Sequence, residues 1–182
     1  MKGIIFLLIL GLVLAGCTGP STPSAPDTVT TGKGVVNFNE ESFTVTSAQV
    51  TWMDNLPHDA TVTIKLKNDE MMMDIIITTD KLLENPTQTY KFSELYGDTP
   101  VVHDTSLVLF DENDYTEYAL EVWNPETSSH EKGEFGVTIT KLTKVLGSSV
   151  GGNFEGILIN RNNIKEKVEV NGNFEGTLTD IS

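Results

Sequence analysis

The chain has 182 residues with 26 acidic against 12 basic side chains, a net charge of −14. Such a surface repels nucleic acid and anionic lipid, because phosphate binding needs clustered Lys or Arg, and the one mildly basic stretch, Arg161 to Lys167, is short and interrupted by Glu166. The single cysteine, Cys17, forbids an intrachain disulfide, so the fold must rest on its core alone or on a bound metal.

From the N-terminus, one positive charge at Lys2 precedes an apolar run from Gly3 to Leu14, then the small residues Ala15 and Gly16. The run is too short for a spanning helix, which needs about 20 apolar residues, and has the form of a secretory signal. Leu14-Ala15-Gly16-Cys17 resembles the lipobox of bacterial and archaeal lipoproteins. That resemblance implies diacylglyceryl transfer to the Cys17 thiol and cleavage after Gly16. The mature chain is then expected outside the cytoplasm, anchored through Cys17 to a prokaryotic membrane and facing the cell surface or the periplasm.

The sequence divides into a signal at residues 1–16, a tether at 17–33 and a single domain at 34–182. The tether carries Pro20, Pro23 and Pro26 among small polar residues. Proline-rich segments of this kind are extended, so it can hold a domain up to roughly 50 Å from the lipid surface. The roughly 150 residues that follow are enough to bury a proper core as one domain.

Along that domain the pattern is strand after strand. Phe43 to Met53 places apolar residues first at odd positions (Phe43, Val45) and then at even ones (Ala48, Val50, Trp52), a slip that predicts a β-bulge near Thr46-Ser47 where the strand turns a corner. Ala60 to Lys67 alternates with a period of two, as expected when one sheet face is buried. Met71 to Ile77 is apolar on both faces and reads as a central strand; a methionine run is also a soft-metal pattern, but core packing explains it. Asp80 to Asn85 before Pro86, and Ser93 to Gly97, each predict one helical turn. Thr116 to Trp123 reads as one strand with Tyr118, Leu120 and Val122 inward, and Phe135, Val137 and Ile139 mark another.

The C-terminal third carries an internal repeat. Gly152-Asn153-Phe154-Glu155-Gly156 recurs twenty residues later as Gly172-Asn173-Phe174-Glu175-Gly176, and the two copies read as paired strands. Their glycines leave room for a neighbouring aromatic or permit strong curvature. From Gly133 to Thr179, a Val-Thr-Ile-Thr-Lys-Leu strand followed by Gly-x-Phe-x-Gly strands resembles the C-terminal region of small β-rich lipoproteins of Bacteroidota-type bacteria, a resemblance that carries no activity to this chain. The expected fold is all-β, an antiparallel sandwich of about ten strands, with a partly open or lipocalin-like barrel as the alternative.

Gly147-Ser148-Ser149-Val150-Gly151 matches the hydrolase G-x-S-x-G pattern, but a strand rather than a helix follows it, so no catalytic residue is assigned. His58, His103 and His130 each precede an acid, a usable zinc ligand set, and a simple meander puts His103 and His130 at one end. Asp111, Asn113 and Asp114 concentrate oxygen ligands suited to calcium, although the spacing fails the EF-hand pattern and a hairpin turn explains it. Trp123, in the outward phase, is the candidate for stacking on a sugar, with Tyr115 or Tyr96 beside it.

The function expected from these residues is that of a lipid-anchored binding or envelope-interaction module, not an enzyme. Its partners are the membrane through Cys17 and an envelope protein or glycan; no cofactor is expected, with calcium as the one candidate. The alternative is a calcium- or zinc-dependent surface protein that binds or hydrolyses glycans.

Overall fold

A computed structural model describes residues 32–55, 59–92, 102, 104–112 and 114–182. The lipobox, most of the tether, His58, Tyr96, His103, Asn113 and the helical turn expected at Ser93 to Gly97 lie outside the described residues. The elements are β1 (Lys33–Phe38), β2 (Glu41–Val45), β3 (Ser47–Asn55), β4 (Asp59–Lys67), β5 (Met71–Thr79), α1 (Lys81–Glu84), β6 (Thr89–Lys91), β7 (Asp104–Asp111), β8 (Asp114–Ala119), β9 (Glu121–Asn124), β10 (Ser129–Lys132), β11 (Glu134–Lys141), β12 (Ser149–Asn160) and β13 (Lys167–Ile181). Among the described residues no helix is long and apolar enough to cross a membrane.

The expected all-β class is what the chain adopts. Its centre is the hairpin of β12 and β13, which serves both layers of one 11-stranded sheet. On one side of the molecule the strands run β2-β1-β13-β12-β11-β6, and on the other β3-β4-β5-β7-β8. The two groups join at opposite ends of the hairpin: the end of β13 (Thr177–Ile181) pairs with β3, and the end of β12 (Ile159, Asn160) pairs with β8. The ladder therefore closes through β13-β3-β4-β5-β7-β8-β12 while β1, β2, β11 and β6 extend one layer beyond it. Sandwich and barrel, set as alternatives by sequence, are here two aspects of one arrangement. The β13–β3 pairing is parallel, a departure from the purely antiparallel expectation.

Alternation sets the core. Ala60, Val62, Ile64 and Leu66 of β4 are all fully buried, and they share one apolar cluster with Val36, Phe38, Phe154 and Phe174 from the other layer. Phe38 and Tyr118 meet edge to face across the layers, ring centroids 4.8 Å apart. Each buried aliphatic side chain of this kind stabilises the fold by about 1.5–3 kcal/mol relative to exposure.

Three details depart from the sequence expectations. The corner expected near Thr46 is there, but as a break between two strands rather than a bulge within one: β2 ends at Val45 and pairs with β1, whereas β3 starts at Ser47 and pairs with β4 and β13, so the chain turns from one layer to the other. Thr116 to Trp123 is not one strand. Leu120 is fully buried as its parity required, but its N–H bonds Thr105 O and its carbonyl accepts Gly133 N–H, which bends the chain between β8 and β9. β5 is central, yet only one face is buried; Met72 is more than a third exposed.

The repeat forms a pair, as expected. Asn153 lies opposite Asn173, so Gly152 faces Phe174 and Phe154 faces Gly172 about a local two-fold axis. A Cβ on Gly172 would come within 2.6 Å of Phe154 Cζ, and one on Gly152 within 2.9 Å of Phe174 Cζ. Each ring lies over the glycine of the facing strand.

Candidate functional site

The same two strands turn their other parity outward. Strand register aligns the outward residues into rows across the sheet: Thr89, Thr138, Asn153, Asn173 and Val35 in one, and Lys91, Gly136, Glu155, Asn171 and Asn37 in the next. Beyond the first row lies Lys141, Gly151, Glu175 and Lys33; beyond the second lies Glu134, Ile157 and Glu169. From Glu169 to Glu175 this face is about 20 Å long, and the five strands its rows cross make it about 19 Å wide.

The face is a trough, formed by two open depressions of about 1170 and about 480 Å³ that share Asn173. Asn37 Nδ2 donates to Asn171 Oδ1 at 2.9 Å and Thr89 bonds Thr138 at 2.9 Å, so part of the lining is held in place by its own side chains. Asn153, Asn171, Asn173, Glu155 and Glu175 are exposed. None of these residues was a sequence candidate. The available signal was the presence of Asn and Gly at outward parity in central strands, where both are depleted.

The sequence candidates are placed elsewhere. Trp123 is 54% exposed on the β9–β10 hairpin and lies opposite His130. The two rings meet edge-on with centroids 5.2 Å apart, and His130 Nδ1 is 2.6 Å from Glu121 Oε1. Tyr115 is also exposed, but it is the second residue of β8, beside the β7–β8 turn, while Trp123 follows the other end of that strand; the two do not form one platform. Trp52, in phase with the core by sequence, is buried.

Asp111 and Asp114 face each other across the β7–β8 turn, and each Oδ1 accepts the N–H of the next residue, Glu112 and Tyr115. Among the described residues no three His, Cys, Asp or Glu side chains are grouped to hold a metal. Ser149 begins β12 directly after a turn in which Gly147 has φ +81°, so a strand follows the G-x-S-x-G stretch.

Electrostatics outside the trough is structural. Burial, reinforced by a hydrogen bond to Glu166, pushes the Tyr118 hydroxyl up to about 12, so it stays a donor at the corner where β8 meets β12. Asn160, also buried, donates to the other Glu166 oxygen at 3.1 Å. Asp54 accepts from Trp52 Nε1 at 2.7 Å and pairs with Lys144, which hold its carboxyl below the usual range.

Comparison with protein-family models, with curated proteins and with solved structures finds no match for this chain.

Proposed function

We propose that this chain is a lipid-anchored extracytoplasmic β-domain that acts as a binding or envelope-interaction module, with the trough as its contact surface. Anchoring rests on Leu14 to Cys17 and the proline-rich tether after it. The observation that carries the binding reading is the outward face of the β12–β13 hairpin and its neighbours. Asn37, Asn153, Asn171 and Asn173 occupy strand positions there that β-branched residues would stabilise better. Residues placed against local propensity mark positions kept for something other than folding.

Two measurements test this reading. Labelling cells with an alkyne-bearing fatty acid should mark the wild-type chain in the membrane fraction and leave Cys17→Ser unlabelled and released. The released Cys17→Ser chain should then co-sediment with cell-envelope fragments prepared from the same cells. A wild-type chain without label rejects the anchor, and a chain that stays in the supernatant rejects the module.

A further inference from the structure

We infer that the trough takes an uncharged linear polysaccharide, laid over Gly136 in its floor; the inference rests on the binding-module reading above and names its ligand. The glycines of this sheet fall into two kinds. Gly152, Gly156 and Gly172 face inward, where a Cβ would collide with Phe174, Phe135 and Phe154. Packing explains them.

Gly136 and Gly151 share the outward parity, but Gly151 is buried beneath its neighbours and lies opposite the irregularity of β11 between Ile139 and Lys141, which accounts for it; Gly136, partly exposed, is the one that packing does not explain. A Cβ on Gly136 would meet nothing nearer than Tyr90 O at 3.7 Å, and on Gly151 nothing nearer than Phe174 O at 3.5 Å. Neither has a positive φ; among the described glycines that holds only for Gly147. Glycine inside a strand weakens it, and its recognised uses include the close approach of a ligand to the backbone. Gly136 opens into the trough.

Each glycine separates a lysine from a glutamate in its row: Lys91, Gly136, Glu155 and Lys141, Gly151, Glu175. None of these charges is within ion-pair distance of an opposite charge among the described residues. At Gly136 the missing side chain thus leaves a gap with the Lys91 ammonium donor on one side and the Glu155 carboxylate acceptor on the other. Asn153 and Asn173, adjacent in the row between, add amide donors and acceptors. That set suits the hydroxyls of a sugar chain, where donors and acceptors alternate around each ring.

Charge and topology select against other occupants. Four glutamates and three lysines line the trough, a near balance in a chain of net −14, which favours an uncharged ligand over a polyanion. β11, β12 and β13 are paired on both edges, so a peptide has no free backbone there to extend by strand addition.

The full chain carrying Cys17→Ser, titrated calorimetrically with linear cello-, manno-, xylo- and chitohexaose, should bind at least one of them and should not bind polygalacturonate. Gly136→Leu, which puts a side chain into that gap, should weaken binding by about tenfold or more at an unchanged melting temperature. Asn153→Ala/Asn173→Ala should do the same without adding volume, which keeps the test valid if the leucine variant misfolds. Failure of every hexasaccharide to bind overturns the inference, as does binding that survives these substitutions. If the chain still co-sediments with envelope fragments in that case, the module reading stands and only the polysaccharide assignment falls.

Discussion

Asp54 and Asp74 are held in opposite senses. Asp54 lies below the usual carboxylate range, through its hydrogen bond from Lys144 and then that from Trp52 Nε1. Asp74 is raised, first by burial and then by Asp104, against the opposing pull of Lys65 at 4.0 Å; its buried Oδ1 has no hydrogen-bond partner. A depressed carboxylate stabilises the fold above its unfolded value and loses that contribution as pH falls through its folded value. A raised one does the reverse: the folded state binds the proton more tightly, so stability falls as pH rises through the window above the unfolded value. Asp54→Asn should therefore lower the melting temperature at neutral pH and Asp74→Asn should raise it. Both differences should shrink in melts taken from about pH 7 down to about pH 3. The burial of Trp52 was legible from its parity with Val50; its link to Lys144 was not, because 90 residues separate Asp54 from that lysine.

Among the elements, the sheet of β11, β12 and β13 divides its glycines by face, and substitution should show the division. Gly172→Ala drives a methyl into Phe154 and the Val35 carbonyl and should cost about 1–3 kcal/mol in urea unfolding, as overpacking does. Gly136→Ala has open space and should be neutral or stabilising by up to about 1 kcal/mol. Equal costs at both positions would mean that packing does not distinguish them. The inward half of this pattern was legible: a twenty-residue repeat with Gly and Phe in one parity already implied strands that fill each other's gaps. The trough was not legible, because it needs the neighbours of β12 and β13, and Asn37 meets Asn171 across 134 residues of chain. The break at Leu120 was hidden for a related reason: its inward parity is preserved through the bend, and only the redirected hydrogen bonds to Thr105 and Gly133 reveal it.

At the scale of the molecule, closure depends on one strand being long enough for two partners on the same edge. β13 runs 15 residues, pairing with β1 through its first part and with β3 beyond Thr177. The apolar parity from Val168 to Leu178 made that length readable, but which strands would share it depends on pairings between distant parts of the chain. The shared corner is made by the end of the chain. Thr179 Oγ1 bonds Val50 O at 3.1 Å, and Ser182 exchanges backbone hydrogen bonds with Trp52 and Asp54. Removing residues 179–182 strips these bonds, each worth about 1 kcal/mol, and leaves the polar backbone of β3 unpaired along that edge. An uncovered edge of this kind is a template for another chain. The truncated protein should melt several degrees lower and elute with light-scattering masses above that of a monomer, increasingly so at higher concentration. A truncated monomer with the parent's melting temperature would show that the β8–β12 corner alone, with its Tyr118–Glu166 and Arg161–Glu117 pairs, holds the two layers together.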